Sequence, residues 1–441
     1  TNTVTTDSIA MKRRGFIKKA TAATAGAFVA PYILPSGRLF AATGTRVVDH
    51  VVFCLFAGGV RNLESVHKAD GNLMPNTLLG NESISSDIAG GIQSPGLVGG
   101  SRLQEMGTLF KEFRFAQGPT GHFSGHSSVM TGVYNLQDIN IRQRPNTPTV
   151  FEMCRKHTDP AANALNAWWV SNALGPYPAL NYSTHPNYGA LYGANYIQPA
   201  SIISNAGYQS LGNPKTFSQN QHDLVGEMRG FFDNNFGNQY IEGSAGAPNA
   251  ASDVPEVQQF LLDSFNEAVA GQYNDPWGVG GLSGDMFNVF FAEQIIERFK
   301  PELLVVNMQD VDVCHTNFTS YANNLGRADY AMAHLWQTIQ NTPGMTDNTI
   351  MIAVPEHGRN ALPNTVIDPY GRYALDHTND EMSREIFCLV TGPSGKVIQN
   401  QVIDQVQGES IDVVPTIAKI LGFYDDVSGM LPGQPLNAAL V

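Results

Sequence analysis

At 441 residues, with 42% hydrophobic and 15% charged side chains, the chain can bury a large core, which excludes a largely disordered protein. A formal net charge of -13 argues against nucleic acid or an anionic membrane surface as a main partner, because both need a basic face. An anionic substrate would have to be drawn in locally, by a metal or a few arginines.

The first segment with a clear message is Lys12-Arg13-Arg14-Gly15-Phe16-Ile17-Lys18-Lys19, followed by the weakly apolar run Ala20 to Ala30 and then Pro31. That order resembles a twin-arginine export signal, and residues 1–42 are read as a signal or anchor that places the protein in the periplasm or cell envelope. A basic amphipathic helix is the plainer alternative. The apolar run is too short and too alanine-rich for a membrane span. Four cysteines, Cys54, Cys154, Cys314 and Cys388, match no CxxC pattern, and Cys54 and Cys388 sit in strand-like apolar runs, as buried thiols do.

Val47 to Phe56 reads as a first central strand, closed by Ala57-Gly58-Gly59. The loop-like stretch 67–102 follows, and then Leu103 to Phe113, whose apolar spacing predicts a short amphipathic helix. From Gly118 to Gly132 a glycine-rich loop carrying His122, Ser124 and His126 runs into an apolar turn, the form of a loop entering a helix N-terminus that can bind an anion. A Ser/His-rich surface turn is the alternative there. Residues 140–282, rich in Asn, Tyr, Gly and Pro, read as an inserted cap or interaction region; within them Trp168-Trp169 are expected in the core.

Regular alternation returns with a helix over Ser283 to Lys300, a strand over Leu303 to Met308 and a long helix bearing Tyr321, Leu325, Ala328, Met332, Leu335, Trp336 and Ile339 at a 3.6-residue period. Thr349 to Val354 is apolar or β-branched throughout, the pattern of a strand covered on both faces. Both strands end in an acid and a histidine: Asp310, Asp312 and His315 after the first, Glu356 and His357 after the second. Asp376-His377 forms a third such cluster. In an open α/β sheet these strand ends share an edge. Carboxylates mixed with imidazoles suit a divalent metal, Zn first, with Mn or Fe as alternatives.

These residues carry a resemblance to the alkaline phosphatase superfamily, sulfatases included. The order acid and His, helix, strand, Glu356-His357-Gly358-Arg359, later His, and then Ser410 to Gly422 as a closing helix, is similar to that family over about 45–135 and 283–435. The resemblance implies an α/β fold with a mostly parallel central sheet and helices on both faces, the domain running from 43 to 441. It implies that Asp312 (or Asp310), His315 and His377 hold one metal, and Glu356 and His357 a second. It also implies hydrolysis of phosphate or sulfate esters. Two positions depart from it. Ala57 stands where a carboxylate ligand is expected, and His122 where a hydroxyl or modified cysteine nucleophile is expected, with Ser124, Ser127 and Ser128 out of register. His122 and His126 are therefore read as ligands or as a general acid/base, and a non-catalytic scaffold binding a protein complex or glycan is the alternative function.

Overall fold

The structure is a computed structural model that describes residues 44–81, 83–137, 144–158, 164–172, 177–202 and 254–441. The export-signal reading of residues 1–42 lies outside them. Among the described residues no helix is long and apolar enough to cross a membrane.

Eight strands form one sheet: β1 (His50–Phe56), β2 (Gly107–Arg114), β3 (Ala167–Val170), β4 (Asn195–Ile197), β5 (Leu303–Met308), β6 (Thr349–Pro355), β7 (Glu385–Thr391) and β8 (Gln401–Glu409). Their spatial order is β4-β3-β5-β1-β6-β7-β2-β8. Pairing is parallel from β4 through β6 and again between β2 and β8, and β7 alone runs against its neighbours. At the centre, Val51 to Phe56 are no more than 1% exposed, so both faces of β1 are covered. Each such Val, Leu or Phe contributes about 1.5–3 kcal/mol by leaving water.

The principal helices are α1 (His122–Thr131), α2 (Val150–Thr158), α3 (Val254–Val269), α4 (Gly284–Phe299), α5 (Phe318–Asn341) and α6 (Val413–Ile420). Successive strand residues point to opposite faces, and the tryptophan pair of β3 shows which helices lie where. Trp168 meets Phe260 of α3 and stacks on Phe299 of α4, whereas Trp169 packs against Phe151 of α2. α5 lies against α4, and α6 against α1 and α2, so helices cover both faces as expected. Ser283 and Asn317 cap α4 and α5 by accepting from Met286 N and Ser320 N.

Two stretches differ from their sequence reading. Leu103–Met106 is a single 3-10 turn and Gly107–Arg114 a strand, in place of one amphipathic helix. A register shift between Phe110 and Phe113 moves the buried side chains of β2 from period two to a spacing that imitates a helix. Within 140–282, β3 and β4 belong to the central sheet itself, because Ala167 to Val170 pair directly with Leu303 to Val306 of β5. All four cysteines are buried free thiols, and burial pushes Cys54, Cys154 and Cys314 up to about 12.

Candidate metal centre

β5, β1 and β6 are parallel neighbours, so their C-terminal ends open on one edge of the sheet. β1 runs out at Ala57-Gly58-Gly59. β5 runs into the 3-10 turn Asp310–His315, anchored by buried Val311 and Cys314. β6 delivers Glu356 and His357, both fully buried. The chain then loops out and returns at Asp376-His377, and α1 lays its first turn over the same edge. Gly59, at φ +79°, has no room for a Cβ, which would overlap His357 Nδ1.

His122, Asp312, His315 and His377 bring ligand-type atoms within 4.8 Å of one another, and His122, Glu356 and His357 form an overlapping second group. The rings nest closely: His357 stacks on His377 at 4.1 Å between centroids, and His122 and His315 each lie 4.7 Å from His377. Asp310, expected as an alternative ligand, is not brought to this cluster. Its carboxylate accepts from Asp285 N at 2.9 Å at the start of α4. His126 is fully buried beneath the cluster, its Nδ1 3.1 Å from the His122 carbonyl and its Nε2 3.0 Å from Asn307 Nδ2; the nearby Glu356 Oε2 is buried and makes no hydrogen bond.

The outer nitrogens of three rings are engaged with acceptors. His315 Nδ1 lies 2.7 Å from Asp376 Oδ1, His357 Nδ1 2.8 Å from the Gly358 carbonyl, and His377 Nδ1 2.5 Å from the Thr120 carbonyl. A carboxylate or carbonyl can only accept, so each Nδ1 carries a proton, and the neutral form of such a ring has a bare Nε2 on its inner side. His315 Nε2 and His377 Nε2 face each other at 2.9 Å, a spacing that two lone pairs tolerate only with a cation or proton between them. His357 Nε2 is buried and makes no hydrogen bond.

Charge distribution points the same way. Burial works against ionisation of Glu356, but the imidazoles of His126, His122 and His357 hold its carboxyl well below the usual range. Burial likewise opposes Asp312, and His315, His122 and the Arg359 guanidinium bring it down to about 2. His377 is held neutral, down to about 2, first by burial and then by the neighbouring imidazoles. His122 goes the other way: burial lowers it, but Glu356 at 2.6 Å and Asp312 raise it. Arg359 is buried and spends its donors on Asp312 Oδ1 at 3.0 Å and on the carbonyls of Gly58, Gly59, Val311 and Leu375.

Thr120 and Asn307 were not singled out in the sequence. Asn307 carried a visible signal, as the one polar side chain in the apolar run Leu303 to Met308, whereas nothing local marks the Thr120 carbonyl. Fold and site together define an α/β protein with a histidine-rich cluster, the carboxylates of Asp312 and Glu356 among four imidazoles, at the C-terminal edge of a mostly parallel sheet.

No family model matches the chain, and no curated protein does. Solved structures similar to it are alkaline phosphatase superfamily proteins. A member of that superfamily from Vibrio parahaemolyticus is 13% identical, with 87% of this chain and 68% of that one covered and a TM-score of 0.44. Wild-type alkaline phosphatase PafA is 11% identical, covering 89% and 99% at a TM-score of 0.44. A phosphonate monoester hydrolase from Silicibacter pomeroyi is 15% identical, covering 88% and 76% at 0.40.

Proposed function

We propose that the chain holds a divalent transition metal, Zn first with Mn or Fe as alternatives, and hydrolyses phosphate or sulfate esters at the sheet edge. The observation that carries the metal is the convergence of His315, His357 and His377, each with Nδ1 committed to an acceptor and Nε2 bare. Such outer contacts fix the tautomer and orientation of metal-bound imidazoles. Beside His315 and His377, Asp312 supplies an anionic oxygen and His122 a third nitrogen, while His357 groups with His122 and Glu356. Imidazoles mixed with carboxylates suit these metals better than Ca or Mg.

When bound, such an ion supplies Lewis acidity to an ester oxygen. The chain's own residues do the rest. Asp376, Thr120 and the Gly358 carbonyl orient the rings. α1 begins at His122 with no side chain capping its first N–H groups, which leaves them directed toward an anionic ester. Arg359 is engaged with Asp312 and does not serve the ester. His122 stands in the place expected for a nucleophilic hydroxyl, so a water, not a side-chain ester, is the attacking group in this reading.

A second reading, a non-catalytic scaffold for an envelope protein complex or glycan, is favoured by the buried Ala57 at the end of β1, where a carboxylate ligand was expected. In either reading we place the protein in the periplasm or cell envelope, on the paired arginines at 13 and 14. Protein reconstituted with Zn, Mn or Fe, offered an aryl phosphate and an aryl sulfate, separates the two. Turnover of at least one ester that disappears in His315→Ala supports the hydrolase; stoichiometric metal with no turnover of either leaves the scaffold.

A further inference from the structure

We propose that Asp285 is a positioning residue: through a reciprocal clasp with Asp310 it aims the turn Asp310–His315, and with it Asp312 and His315, at the sheet edge. This rests on the metal reading above and concerns what holds two of its candidate ligands in place.

β5 pairs with β1 as far as Met308 and with β3 as far as Val306, so the backbone beyond Met308 leaves the sheet with no strand to bond. Gln309 is still buried there, and a buried N–H needs an acceptor. α4 supplies it. Asp285 and Asn288, three residues apart and so on one face of the helix, are both fully buried. Asn288 Nδ2 donates to the Asn307 carbonyl at 2.9 Å, Gln309 N donates to Asp285 Oδ1 at 2.6 Å, and Asp310 N lies 3.1 Å from Asp285 Oδ1 and 3.0 Å from Oδ2. In the other direction Asp285 N, one of the first-turn N–H groups that a helix cannot satisfy itself, donates to Asp310 Oδ2 at 2.9 Å. Gly284 permits the approach, since a Cβ there would stand 2.7 Å from Asp310 Oδ1. Asn324 of α5 holds the next peptide group by donating to the Asp310 carbonyl at 2.7 Å.

The clasp thus fixes the backbone at the point where the chain turns out of β5. Asp312 N bonds back to the Gln309 carbonyl at 3.0 Å, and the turn presents Asp312 Oδ1 3.4 Å from His315 Nε2. A displacement of Gln309 or Asp310 is therefore carried into both candidate ligands. Because Asp285 Oδ1 takes both N–H groups, what the clasp needs at 285 is an acceptor oxygen, not a charge.

The test compares the full chain with Asp285→Ala, which removes the acceptor, Asp285→Asn, which keeps one oxygen, and Ser283→Ala, which removes the cap of the same helix without touching the turn. Titrated with Zn, Asp285→Ala should bind about 10–100-fold more weakly than the parent, the usual cost of losing a group that orients metal ligands, and Asp285→Asn should recover most of that loss. Ser283→Ala should lower Tm and leave Zn affinity in place; a loss of affinity there equal to that of Asp285→Ala would show a general effect of helix stability and overturn the proposal, as would a folded Asp285→Ala protein with parental affinity. Amide hydrogen exchange of the metal-free parent gives a second readout, which decides alone if Asp285→Ala does not fold. The Gln309 and Asp310 amides should exchange as slowly as those within β5, and exchange at the rate of an open turn overturns the clasp. Slow exchange there in a protein that binds no Zn would remove the metal reading and leave the clasp standing.

Discussion

His157 shows how a single buried ring ties stability to pH. It sits between α2 and the segment after α6, 3.0 Å from the Tyr188 hydroxyl and with its ring stacked on Phe423. Burial, ahead of any neighbouring charge, holds it below the ordinary 6.5. The unfolded chain therefore takes up this proton more readily than the folded one. The contribution of neutral His157 is fully present above pH 6.5 and is lost as pH falls through the lower folded value. His157→Gln should melt with a shallower loss of Tm between neutral and mildly acidic pH than the parent; equal slopes would show that the ring titrates freely in the fold. At this scale the sequence was legible where chemistry is carried by residue type. Asp312, His315, His357 and His377 could be named as candidate ligands from their residue types and order, and the structure brings them to one sheet edge. Asp310 could not be separated from Asp312, because both follow β5 and only the direction of the 3-10 turn sends Asp310 to the start of α4. The contacts of Glu356 with His122 and His126 could not be foreseen, since these residues come from an element far away in the chain.

Among the elements, α1 shows why the cluster is so closely packed. Gly125 faces the end of β6, where an added Cβ would stand 2.7 Å from Glu356 O and 2.9 Å from Glu356 Cβ. An exposed Gly→Ala change in a helix is worth about 1 kcal/mol in propensity, whereas overpacking a core costs about 1–3 kcal/mol, and here the opposing atoms are backbone and a Cβ fixed to it, which cannot swing away. The loss wins. Gly125→Ala should lower Tm and, by lifting His122, weaken Zn binding; a higher Tm with unchanged Zn affinity would place α1 elsewhere. The elements that sequence periodicity found were β1, β5, β6, α4 and α5, all with uninterrupted patterns. β2 was misread because its bulge gives Leu109, Phe110 and Phe113 helix-like spacing. β3 and β4 were passed over because each is short and flanked by residues that read as turns, so only their pairing beside β5 shows them to be strands.

In the whole molecule, the arrangement follows from sheet order. With β5, β1 and β6 adjacent and parallel, any polar residues after them must meet, and the loop that leaves at Arg359 and returns at Asp376 closes the circle. The convergence was legible in the sequence as clusters at strand ends; the commitment of each Nδ1 was not, because the acceptors at Thr120, Gly358 and Asp376 are defined by tertiary contact. That commitment is the centre of the account, and elemental analysis of the purified, folded protein tests it most directly. We expect about one transition-metal ion per chain, reduced in His315→Ala and in His357→Ala by at least the 10–100-fold in affinity that loss of an outer contact alone would bring. Folded protein that takes up no stoichiometric Zn, Mn or Fe would contradict the metal centre and leave the inward-facing imidazoles as a buried polar cluster.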